Sequence, residues 1–166
     1  MNITVNIHGL DEAIRRLEEY GNRLHQQQDE LCRRLAEMGA TNVSLQFARA
    51  IYTGDKDFSV TVEDAPNGYQ IVVSGQSVAF VEFGAGITYG YGHPQAAEFG
   101  VGPGTYPGQT HAMTGEGWYL PKSKQGSNTE DASRHTYGNP PNMPMYNTAQ
   151  DLKQEIARVA REVFSK

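Results

Sequence analysis

The sequence predicts an α+β fold: a long N-terminal helix and a C-terminal helix packed on a small, mainly antiparallel sheet, with a long Gly/Pro/Tyr-rich loop. Changes of hydrophobic period carry this expectation. Leu10, Ile14, Leu17, Leu24, Leu31, Leu35 and Met38 recur at spacings of three and four, which places them along one narrow helix face. Between Val43 and Val73 apolar residues mostly alternate with polar ones, as on half-buried strands. A helical stripe then returns at Leu152, Ile156, Val159 and Phe164.

In chain order, a short alternating piece at Ile3, Val5 and Ile7 breaks at Gly9, and the first helix is expected over about 10–38, ending before Gly39. Its ladder lacks apolar members at Gly21 and Gln28, so it suits closure over a sheet or a partner helix better than an independent coiled coil. Arg15, Arg16, Glu18, Glu19, Asp29, Glu30, Arg33 and Arg34 form the wet face, with Glu30 and Arg34 at i,i+4. Strands are expected at Val43–Phe47, Phe58–Val62 and Tyr69–Val73, and Ala65-Pro66-Asn67-Gly68 is the clearest hairpin signal. The apolar run Val78–Phe83 is long enough for either a strand or a helical turn. A capping box at Asn147 and Gln150 opens the last helix, expected over about 148–164.

Between Gly84 and Pro144 lie twelve of the 18 glycines and seven of the 8 prolines, with no sustained period. Connections well beyond ~15 residues are uncommon inside a compact domain. Tyr89, Tyr91, Phe99, Tyr106, Trp118, Tyr119 and Tyr137 are too many aromatics for a plain disordered linker. The expectation is a single domain, 1–166, carrying residues 84–144 as an inserted loop or intersubunit arm that orders against another surface.

Composition narrows the function classes. A formal charge of -5 and the lack of a dense Lys/Arg block disfavour direct DNA binding. The single cysteine, Cys32, excludes an internal disulfide and reads as a core or seam residue. Neither a signal peptide nor an apolar run of ~18 residues is present, so the chain is expected to stay in cytoplasm until it is assembled.

No catalytic, cofactor or metal residues are expected. His93, Glu98, His111 and His135 fit no ligand grammar, and the chain has no G-x-S-x-G elbow. Gly100, Gly102, Gly104 and Gly108 lack the following Lys-Ser/Thr of a phosphate loop. A cell-wall or peptide hydrolase using His93, His111 or His135 with Glu98 or Glu116 is the enzymatic alternative. A glycan- or peptide-binding module built on the loop aromatics is the third. Glu82, set among apolar residues, is expected to cap a turn or to meet an arginine of a neighbouring subunit.

An ordered series of motifs carries a family resemblance: Val81-Glu82-Phe83-Gly84-Ala85-Gly86, His93-Pro94, Gly102-Pro103-Gly104-Thr105-Tyr106-Pro107, Trp118-Tyr119, His135-Thr136-Tyr137-Gly138 and Met143-Pro144-Met145-Tyr146. Between a charged amphipathic helix and a terminal one, the series resembles the minor tail-component, or tail-completion, proteins of the HK97 gene-product-10 type. It is closer to their long form from phages of low-GC Gram-positive bacteria, since the short form has a brief connection and a Pro-Phe-Leu-like segment in place of Met143–Tyr146. The resemblance implies a neck or tail-completion subunit for head–tail joining, repeated in a homo-oligomeric ring of which a hexamer is one form. Its neighbours would be the connector or head-closure proteins and the tail-tube or terminator proteins. Virion localisation follows, with host cytoplasm during assembly, no membrane contact, and DNA passing through without specific binding. The interface residues expected on this reading are Glu82, Phe83, Tyr89, Tyr91, Tyr106, Trp118, Tyr119, Tyr137, Met145 and Tyr146.

Overall fold

Gly39 does not end the first helix. In the computed structural model, which describes residues 9–52, 54–86, 92–101, 115–119 and 135–165, α1 runs without interruption from Leu10 to Arg49. Its 40 residues span about 60 Å at 1.5 Å per residue. The expected strand at Val43–Phe47 is therefore corrected to helix. Ala36, Val43 and Phe47 are buried on one face while Leu45 is 51% exposed, which is a helical pattern and not an alternating one. Gly39 stays inside the helix because of close packing: a Cβ there would lie 2.4 Å from Ile71 Cδ1 and 2.8 Å from Leu152 Cδ1. Asp11 and Glu12 suit the positive N-terminal end of the helix, and Glu30 binds both Arg33 and Arg34 on its outer face.

The hairpin forms where its turn chemistry predicts. β1 (Ser59–Ala65) pairs antiparallel with β2 (Gly68–Ser74), from Ser59↔Ser74 to Ala65↔Gly68, so Pro66 and Asn67 make a two-residue turn. Among the described residues two strands, not three or four, make this sheet, and α1 covers it. Phe58, Val60, Ile71 and Val73 pack on the buried Val43, Phe47, Ala50 and Val81, and the Phe47 and Phe58 rings stack at 5.1 Å. The Ile3–Ile7 piece lies outside the described residues. Cys32 is a half-buried free thiol beside Gly68, as a seam residue would be.

The segment left open at Val78–Phe83 is a short helix, α2. Asp57 holds the approach to it, accepting hydrogen bonds from the amides of Gln76 (3.0 Å) and Ser77 (2.8 Å). The Gln76 bond above all, joined by the Ser77 bonds, outweighs desolvation and holds the Asp57 carboxyl below its ordinary range. A carboxyl depressed in the folded state adds stability above its unfolded pKa of about 3.9 and loses it as pH falls through the lower folded value. Asp57→Asn is expected to lower stability at neutral pH and to flatten the acid limb of a thermal-unfolding-versus-pH curve. An unchanged acid limb would contradict this capping role.

The last helix, α3 (Pro144–Phe164), runs antiparallel to α1. Gln46 meets Thr148, Asn42 meets Asp151, Arg34 faces Glu162, and Gln27 reaches the Val163 carbonyl. Its 21 residues cover only the C-terminal part of α1, and Leu10, Ile14, Leu17 and Leu24 remain exposed beyond its end. The expected capping box is corrected. Helix geometry starts three residues before Asn147, with Pro144 at its first position, where a missing N–H costs nothing. A second, separate ribbon pairs β3 (Trp118–Tyr119) with β4 (His135–Thr136). None of the described helices is long and apolar enough to cross a membrane.

Candidate functional site

The N-terminus of α3 has no cap of its own. Met143 precedes it in the left-handed region (φ 55°) and makes no side-chain cap. The cap comes instead from α2, where the Glu82 carboxylate accepts the amides of Met145 (Oε2, 2.8 Å) and Tyr146 (Oε1, 3.0 Å). Backbone bonds support it, from Asn142 N to the Val81 carbonyl at 2.9 Å and from Met143 N to the Glu82 carbonyl at 3.3 Å. A carboxylate at a helix N-terminus satisfies orphan amides and the helix dipole together.

His93 completes the junction. Glu82 and His93 are each 5% exposed, and Glu82 Oε1 lies 3.0 Å from His93 Nε2. The Gln95 amide points at His93 Nδ1 at 3.1 Å. An amide N–H only donates, so the network assigns Nδ1 as the bare acceptor and Nε2 as the protonated donor to Glu82. A neutral histidine thus satisfies both of its nitrogens and the third N–H needed by the carboxylate. Phe83 (4.5 Å between centroids) and the Tyr146 edge (5.4 Å) enclose the ring.

Both ends of the segment 84–144 are tied to this junction. Ala85 and Asn139 exchange backbone hydrogen bonds at 2.9 and 3.0 Å, and Asn139 Nδ2 donates to the Phe80 carbonyl at 2.8 Å. Gly138 (φ 101°) makes the approach possible, since a Cβ there would fall 1.8 Å from the Ala85 carbonyl oxygen. Asn142 binds the end of α1 as a backbone would, accepting from Ile51 N at 2.7 Å and donating to Ile51 O at 3.0 Å.

Of the residues singled out in the sequence, Glu82, Phe83, Met145 and Tyr146 come together here, and Met145 packs on the main core. Glu82 caps a helix and meets no arginine among the described residues. Tyr119 and Tyr137 flank His135 on the β3–β4 ribbon, each ring edge-on at 4.9 Å and both more than half exposed. Trp118 pairs through its backbone with Thr136. Tyr89, Tyr91, Tyr106 and His111 lie outside the described residues. Glu98 hydrogen-bonds Gln95 at 3.2 Å, Glu116 is exposed, and no metal-binding group of His, Cys, Asp or Glu occurs among the described residues. Sequence reasoning passed over Asn139, Asn142 and the pairing of His93 with Glu82, although Met143-Pro144 does mark the helix start. No protein-family model matches the chain, and no curated protein or solved structure is significantly similar to it.

Proposed function

We propose that this protein is a non-enzymatic structural subunit of the neck or tail-completion region of a tailed phage, forming a homo-oligomeric ring between head connector and tail tube. One observation carries the reading. Four pieces of the motif series (Val81–Gly86, His93, Thr136–Gly138 and Met143–Tyr146) are distant in sequence yet meet at or beside one buried junction, where their roles are to cap, bridge and turn. The resemblance thus falls on residues that anchor an insertion, which is what an assembly subunit with a docking arm requires. Exposed Phe99, Tyr119 and Tyr137 on that insertion offer it aromatic contact area.

The hydrolase alternative loses one of its three histidines, because both ring nitrogens of His93 are engaged. A glycan- or peptide-binding module draws support from the Tyr119–His135–Tyr137 series alone. The charge of -5 suits a rim past which DNA slides, since fixed phosphate contacts would hold it. Electron microscopy of particles from a phage lacking this gene tests the proposal. Filled heads and unattached tails are expected; intact virions would refute it.

A further inference from the structure

We infer that the N-terminal part of α1 docks antiparallel on the same segment of a second copy of this chain, with Leu17 of each protomer seated over Gly21 of the other. The exposed ladder Leu10, Ile14, Leu17 and Leu24 continues the face that α1 turns to α3, and Leu17 is its most exposed member at 70%. A shallow crevice lined by Arg23, Gln27, Glu30, Arg34 and Val163 marks where α1 emerges past the end of α3.

Gly21 stands in the middle of that ladder. Glycine weakens a helix interior, and nothing among the described residues calls for it here, because an added Cβ would have no neighbour among them within 4 Å. Gly39, about five full turns further along, points the same way. There the absent side chain admits Ile71 of β2 and Leu152 of the antiparallel α3, whose Cδ1 atoms would lie 2.4 and 2.8 Å from an added Cβ. The face therefore carries two glycine seats, and a leucine from an antiparallel helix, beside Ile71, fills one of them.

A second copy is the occupant because seat and knob lie one turn apart on the same segment. A two-fold axis between Leu17 and Gly21 puts Leu17 of one protomer over Gly21 of its partner and the reverse, and sets Ile14 opposite the partner's Leu24. An unrelated helix would fill the seat and leave Leu17 bare. Arg15–Glu19 and Arg16–Glu12 pair along the opposite face, so neither pair is buried by the contact, and Glu18 and Tyr20 stay at its rim. This contact rests on α1 and is independent of the ring, whose contacts are attributed to the insertion.

Sedimentation equilibrium of the full chain from about 1 to 100 μM tests it, with circular dichroism to check folding. Wild type should show a concentration-dependent monomer–dimer equilibrium, and Leu17→Glu should stay monomeric. Gly21→Ala should raise the unfolding temperature at a concentration where both proteins are monomeric, yet dissociate at least about tenfold more readily. A glycine without a partner would give the first effect and not the second. Wild type that is monomeric throughout, a dimer that survives Leu17→Glu, or a Gly21→Ala dimer as tight as wild type would each overturn the inference. If Leu17→Glu fails to fold, wild type and Gly21→Ala decide.

Discussion

Replacing Glu82 by alanine is expected to lower the free energy of unfolding by about 3–5 kcal/mol. The carboxylate is buried and accepts three donors: the Met145 and Tyr146 amides and His93 Nε2. Alanine leaves all three without a partner in a site largely closed to water. Each orphaned buried donor costs about 1–3 kcal/mol, and loss of a helix cap alone about 0.5–2, with incomplete additivity because one carboxylate serves all three. Glu82→Gln keeps the shape but turns an NH2 toward N–H groups, so it should restore only part of the loss. Urea unfolding at unchanged slope measures both variants. A loss below about 1 kcal/mol for Glu82→Ala would mean that the junction holds little of the fold together.

The second large effect separates helix from strand in the segment 43–47. Phe47→Ala should cost about 3–5 kcal/mol, because the ring is fully buried and stacked on Phe58. Leu45→Ala should cost well under that, about 1 kcal/mol or less, since Leu45 faces outward on α1. A strand would put Val43, Leu45 and Phe47 on one face and make the two losses similar. Similar losses would contradict the continuous α1.

That segment also explains how far the sequence could be read. Val43 and Phe47 are two apart from Leu45 and four apart from each other, so five residues fit either period, and Gly39 argued for a break. Only contacts from Ile71 and Leu152, far along the chain, make that glycine a packing seat. The hairpin was legible because its turn chemistry is local: Pro66 and Asn67 sit between Ala65 and Gly68. The two-helix, antiparallel-hairpin plan was legible for the same reason, as each stripe is a property of its own segment. The candidate site was not. Glu82 finds its partners 11, 63 and 64 residues away, and its position in an apolar run signals only that some partner exists. Met143-Pro144 was the better start signal for α3, but Asn147 and Gln150 satisfied a local rule that Glu82 overrode from α2.

The central claim is that the chain is an assembly subunit whose insertion makes the intersubunit contacts. Its most direct test is the solution mass of the wild-type chain, alone and mixed with the adjoining connector and tail-tube proteins, beside the Trp118→Ala/Tyr119→Ala double variant with its folding checked by circular dichroism. Wild type should enter complexes larger than the α1-mediated pair, while the double variant keeps its fold and that pair but joins no larger complex. Aromatics at the centre of an interface each commonly contribute about 2 kcal/mol or more, so losing two should weaken the contact by roughly a thousandfold. A wild-type chain that joins no complex with those proteins, or a double variant that assembles as well as wild type, would contradict the account.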